Sequence, residues 1–168
     1  DNPAYRAVHG LALLRAGRAK EALDELNAAI AKGPVEVTTL ANAAAAAYEL
    51  GRFDEALEFL RKAAALGGSS PDFVLLGGIV QSGLGELESA LSAFNSILQS
   101  EPDHALANQC VGELLAGNRD TVPTFEQAGT PARARKYLER AYKASGGATR
   151  SLLSLGLVPE AELNRLAA

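Results

Sequence analysis

Apolar side chains at Ala22, Leu26, Ala29 and Ile30 follow the i, i+4, i+7, i+8 spacing of one helix face, with polar residues between them. The same pattern returns after 34 residues as Ala56, Leu60, Ala63 and Ala64, and after 34 more as Ala90, Phe94, Ile97 and Leu98. Each copy begins in a related phrase: "AGRAKEALDEL" (16–26), "LGRFDEALEFL" (50–60) and "LGELESALSAF" (84–94). Gly17, Gly51 and Gly85 keep the interval, as do Leu23, Leu57 and Leu91. So does an upstream series of small residues, Gly10, Ala44, Gly78 and Gly112. Pro34, Gly68 and Pro102 stand in equivalent closing places. Several registers held in step are the mark of an internal repeat, one supersecondary unit per period.

Each period predicts two helices. Gly17, Gly51 and Gly85 stand between them, where a left-handed residue ends a helix at little cost only if it is glycine. Asn2-Pro3, Ser70-Pro71 and Thr130-Pro131 place a capping side chain before a proline at the first helical position. Gly10, Ala44, Gly78 and Gly112 let the first helix approach its partner closely.

On these features the chain resembles the tetratricopeptide-repeat family, in an alanine-rich, bacterial-type variant. The period, the small residue of the first helix, the glycine turn, the "EAL" opening of the second helix and the closing proline all match. The resemblance covers residues 3–104 and a fourth unit in altered form. Arg6, Leu40, Val74 and Asn108 stand where the family's early tryptophan falls. Leu13, Ala47 and Gln81 replace its first-helix aromatic. The resemblance implies an all-α fold, a right-handed superhelical solenoid of antiparallel helix pairs, with about four repeats and a C-terminal cap. We expect a single domain over 1–168, with repeats at about 3–36, 37–70, 71–104 and 105–148 and a cap at 149–168.

In the fourth unit the second helix arrives late. Ala134, Leu138 and Ala141 stand for Ala90, Phe94 and Ile97, a step of 44 where the others step 34, so ten extra residues lie within 117–129. Such a loop is a contact site, with Phe125 exposed, or a tolerated insertion with Phe125 folded back. Residues 117–150 carry seven Lys or Arg against three acids, a balance of +4, which leaves −8 for the rest of a chain of net charge −4. Arg133, Lys136 and Arg140 are therefore secondary interaction candidates, for an acidic partner or for another copy of the chain. The alternative for them is a solvated helix face. Leu152, Leu153, Leu155, Leu163 and Leu166 suit an end cap.

Composition narrows the function. A pI near 5.2 argues against a general nucleic-acid binder. No apolar run approaches the roughly 20 residues of a membrane span. The one cysteine, Cys110, excludes an internal disulfide and leaves the compartment open between the cytoplasm and a bacterial periplasm or envelope. The chain opens at Asp1 and holds no Met, so we expect an excerpt or processed form of a longer protein. His9 is expected at the core edge and His104 at the surface, and Cys110 has no His in register with it. No metal-ligand spacing, phosphate-binding loop or nucleophile elbow occurs, so neither catalysis nor a cofactor is expected.

The resemblance implies instead a groove lined by the first helices that takes a peptide. Its lining would be Ala7, Leu11, Leu14 and Arg15, then Ala41, Asn42, Ala45 and Tyr48, then Leu75, Ile79 and Ser82, then Gln109 and Glu113. This surface is expected to be strongly apolar, suited to an amphipathic helix or an apolar extended segment. Family members that clamp a chaperone's terminal carboxylate use Lys, Asn and Arg. The matching places here hold Ala7, Leu11, Asp72 and Leu76, and only Asn42 agrees, so that ligand is not expected. The functions left are a protein–protein adaptor in complex assembly, secretion or chaperoning, and a spacer, recruiting arm or self-associating scaffold within a larger protein.

Overall fold

The computed structural model describes residues 2–117 and 130–144, and among these all regular structure is helical. The helices are α1 (Pro3–Arg15), α2 (Ala19–Lys32), α3 (Val37–Glu49), α4 (Phe53–Ala65), α5 (Pro71–Gly83), α6 (Leu87–Ser100), α7 (Ala105–Gly117) and α8 (Thr130–Ala144). No described helix is long and apolar enough to cross a membrane. The chain divides into two compact units, residues 1–86 and 87–168. In the first, α1 packs on α2 and α3 on α4. Helix α2 also lies against α3 and α4 against α5, which sets α1, α3 and α5 side by side. In the second, α7 packs on both α6 and α8.

Local sequence explains the helix ends. Asn2 Oδ1 accepts the Ala4 N–H at 3.0 Å, and Ser70 Oγ accepts the Phe73 N–H at 3.3 Å, each before a proline. Thr130 lies inside α8 and opens it, where the sequence predicts a cap outside. Helices α2 and α4 have Arg18 and Arg52 at the cap position and no side-chain cap. There Glu21 and Glu55 stand in the first turn, where the helix dipole favours a carboxylate. Arg18 Nε donates to Glu21 at 2.7 Å and Arg52 to Glu55 at 3.4 Å, one device copied 34 residues on. The Arg18 hydrogen bond holds the Glu21 carboxyl below its usual range.

Gly17, Gly51 and Gly85 take φ of 74°, 71° and 79°, the left-handed backbone their spacing predicts. Beyond them the N–H groups of Arg18, Arg52 and Glu86 reach back to the carbonyls of Leu13, Ala47 and Gln81 at 2.9, 2.9 and 2.8 Å, closing three like turns. Gly67, at φ 91°, ends α4 similarly, with Gly68 N–H on the Ala63 carbonyl at 3.0 Å.

The core of the first unit is small-residue rich. Ala22, Ala43, Ala44, Ala46, Ala47, Ala56 and Ala63 are fully buried around Leu26, Leu40 and Leu60. At Gly10 a Cβ would lie 2.6 Å from Leu26 Cγ and 3.2 Å from the Ala22 carbonyl, so α1 and α2 touch nearly backbone to side chain. The tryptophan places are filled in different ways. Leu40 is fully buried, and Arg6 donates to Glu25 of α2 at 3.0 Å. Asn108 is buried in the second unit and donates to the carbonyls of Pro102 at 2.9 Å and His104 at 3.0 Å. Ala90, Phe94, Ile97, Val111 and Leu115 are buried in that same unit. Cys110 lies beside Glu113, and burial first, then that carboxylate, pushes its thiol up to about 12.

Three outcomes follow. Gly10→Val destabilises by ~1–3 kcal/mol through overpacking against Leu26. Gly77→Ala, with nothing within 4 Å of a new Cβ, stabilises α5 by about 0.5–1 kcal/mol, both read from urea unfolding. The Cys110 thiol reacts with a disulfide reagent at pH 7.5 only as the protein opens. An unfolded thiol ionises near ~8.5 while the folded one stays protonated to about 12, so this group's stabilisation is whole below pH ~8.5 and drains away above it. Comparing wild type with Cys110→Ala between pH 8 and 10 isolates the effect.

Candidate functional site

Ala4, Ala7, Val8, Leu11, Leu14 and Arg15 form one stripe of α1, by the three- and four-residue steps of the helix. Because α1 touches α3, that stripe borders two separate clefts shared with α3, one reaching Thr38, Thr39 and Asn42 and the other Ala45 and Glu49. The first cleft, about 350 Å³, has apolar walls of Pro3, Ala4, Ala7, Val8, Leu11, Ala29 and Pro34. Its polar members are Asn2, Glu36, Thr38, Thr39 and Asn42. The second, about 430 Å³, is bounded by Leu14, Arg15, Gly17, Ala19, Ala45 and Glu49.

Six of the expected groove residues therefore line a cleft: Ala7, Leu11, Asn42, Leu14, Arg15 and Ala45. All are half-buried except Arg15, which is exposed. Ala41 and Tyr48 are half-buried on α3, with the Tyr48 ring tilted against Phe53 at 5.6 Å between centroids. On α5, Ile79 and Ser82 are half-buried. Leu75 is a correction: only 6% of it is exposed, so it is a buried packing residue and not an open groove contact. In the second unit Gln109 Nε2 donates to Glu113 Oε1 at 2.9 Å, so these two side chains satisfy one another. Lys136 and Arg140 are exposed on α8. Arg133 lies in α8 with its side chain outside the description, and Phe125, the insertion after α7 and the expected cap lie outside the described residues.

Beside their apolar residues the clefts are lined by polar or charged groups, Asn2, Glu36, Thr38, Thr39 and Asn42 in the first and Arg15 and Glu49 in the second. Asn2, Val8, Glu36, Thr38 and Thr39 escaped the sequence reading. The available signal was "EVTT" (36–39), a helix start with two threonines in its first turn and no Ser, Thr, Asn or Asp at the cap.

The two histidines differ from expectation. His9 is exposed, with 44% of its side chain accessible, stacked on Tyr5 at 5.9 Å and 3.9 Å from the Glu25 carboxylate. His104 is half-buried and structural: its Nδ1 accepts the Ala107 N–H at 3.2 Å and caps α7. No group of three or more His, Cys, Asp or Glu among the described residues could hold a metal ion.

Known proteins can be set beside this geometry. A family model for the tetratricopeptide repeat matches residues 8–71. The chain is 32% identical over 114 residues to the Protein CTR9 homolog of Arabidopsis thaliana, which is 67% of this chain and 10% of that protein. It thus spans about a tenth of the length of the curated relative it matches. In structure it is similar to MamA, with a TM-score of 0.67 at 19% identity, covering 86% of this chain and 79% of that one. It is also similar to the second TPR domain of human RPAP3, solved in complex with an HSP70 peptide. There the TM-score is 0.59 at 23% identity, over 67% of this chain and 98% of the other. At such identities the structural likeness shows the fold alone. The match over residues 8–71 falls on the helix pairs and glycine turns described above, and that segment carries tetratricopeptide repeats.

Proposed function

We propose that this chain is a non-catalytic protein-interaction module that takes an apolar or amphipathic segment of a partner protein along the α1–α3 face. The observation that carries this is the pair of clefts on one stripe, with half-buried Ala7, Leu11, Leu14 and Ala45 beside polar groups. Half-buried apolar side chains gain by losing their remaining water, at ~25 cal/mol per Å². Asn42 can hold a partner's backbone amide, which an apolar wall alone would leave unsatisfied on binding. From Ala4 to Arg15 the stripe runs about 16 Å, room for roughly three helical turns or five extended residues. The RPAP3 domain of this fold, held with a peptide, supports the same use of the architecture. Such a module serves as an adaptor in complex assembly, secretion or chaperoning. A second reading, a recruiting arm within a larger protein, has one observation behind it: the matched segment is a tenth of the CTR9 homolog.

Selection of peptides from a displayed random library tests the proposal. Sequences with apolar residues at helical or alternate spacing are expected. Val8→Glu, at a position 69% exposed and so free of folding cost, weakens them about tenfold, or 1.4 kcal/mol. Selected peptides indifferent to Val8→Glu and to Leu11→Ala would move binding off this face.

A further inference from the structure

The second cleft joins two side chains of opposite charge that hold one place in successive repeats. Arg15 is the last residue of α1 and Glu49 the last of α3, 34 positions on. Both are exposed and both line the cleft, beside half-buried Leu14, Ala19 and Ala45. Other exposed Arg–Glu neighbours close on one another, as Arg18–Glu21, Arg52–Glu55 and Arg61–Glu58 do. Among the described residues no ion pair joins Arg15 to Glu49 or ties either to another group. Glu49 also breaks a local rule. A carboxylate at a helix C-terminus meets the negative end of the dipole, whereas Arg15 is favoured at the same place in α1. Departures of this kind are expected where a side chain serves something other than the fold.

We propose that Arg15 and Glu49 form a subsite for one backbone amide of the partner segment, its carbonyl oxygen on the Arg15 guanidinium and its N–H on the Glu49 carboxylate. This rests on the binding face proposed above and specifies what the second cleft accepts. Charge selects the group. A partner carboxylate is drawn to Arg15 but repelled by Glu49, and an ammonium meets the reverse, so for either ion the two effects offset. An amide carries a donor, an acceptor and no net charge, so it uses each side chain without opposing the other. Hydrogen bonds to ionised groups are also the stronger kind. Geometry selects the backbone. Arg15 and Glu49 come from different helices, and neighbouring helix axes lie about 8–10 Å apart. The C=O and N–H of a trans peptide point to opposite sides and reach two walls, whereas a side-chain carboxamide offers both from one end. The segment is extended at this point, because a helix has already used those groups internally. Leu14 and Ala45 take its adjoining side chain.

The test titrates small probes at pH 6 while backbone amide chemical shifts are followed. They are N-acetyl-leucine N-methylamide, which is neutral, N-acetyl-leucine, an anion, and leucine N-methylamide, a cation. The neutral probe is expected to move the signals of Leu14, Arg15, Ala45 and Glu49. It is expected to bind about threefold or more tightly than either ion, the scale of one exposed charge contact. Glu49→Gln is expected to turn the preference towards the anion, with a Tm equal to or above wild type. Arg15→Gln is expected to turn it towards the cation. An ion bound as tightly as the neutral probe overturns the proposal, as do variants that leave the order of the three unchanged. A Tm drop in Glu49→Gln overturns it too, since the carboxylate would then serve the fold. A fourth probe, 4-methylpentanamide, keeps the apolar chain with a primary amide, and its matching the neutral probe overturns the assignment to backbone. Shifts at Leu11 and Asn42 with none at Leu14, Arg15, Ala45 or Glu49 overturn the subsite and leave the binding face standing. Shifts at neither set overturn the subsite and the binding face together.

Discussion

The first unit depends on how closely the two helices of a pair can approach. At Gly10 the backbone of α1 meets Leu26 at a distance no Cβ would permit, and Ala22 presents its carbonyl to the same spot. Further along, fully buried Ala43, Ala44, Ala46 and Ala47 keep α3 equally close to its neighbours. A core built this way gains little area per residue and depends on many short contacts. Close packing then leaves no slack for a misplaced methylene. With so few large aromatic side chains to fill space, helix direction has to be set at the ends, by left-handed glycines and by Arg–Glu forks repeated 34 residues apart.

What could be read from the chain was what each unit repeats for itself. The glycine turns at 17, 51 and 85 were legible because a left-handed backbone selects one residue type, and the small residues because close approach selects size. Properties assembled from distant segments were not. The first cleft joins Asn2, Ala29, Glu36 and Asn42, drawn from three helices and a corner, and no period links them. Leu75 sits on the expected stripe, yet its burial depends on what packs over it. His104 looked like a surface residue because a histidine at a helix cap carries no sequence signature comparable to Ser or Asp.

The polar residues of the clefts bear on what kind of recognition the proposed binding face would perform. An apolar trough alone sorts partners by size and greasiness, and neighbouring hydrophobic segments differ there by small amounts. Buried groups that need hydrogen bonds add a penalty for every ligand that fails to supply them, which is where larger discrimination comes from. Asn42, in the same cleft as Leu11, would bring both kinds of selection to the proposed face.

Asn108 shows the opposite use of a buried amide. It stands where the resembled family has a tryptophan, and it ties the carbonyls of Pro102 and His104 to α7 by two directional bonds. Bulk tolerates drift, since a large ring still fills most of its hole when shifted by half an ångström. A directional tie does not: its donors must meet two named carbonyls or lose both. The corner before α7 is thereby pinned in residue count, and length variation is forced to the other end of the helix. The fourth unit's ten extra residues lie after α7. By the sequence register, the chain places its irregularity at the end of that helix opposite the tie.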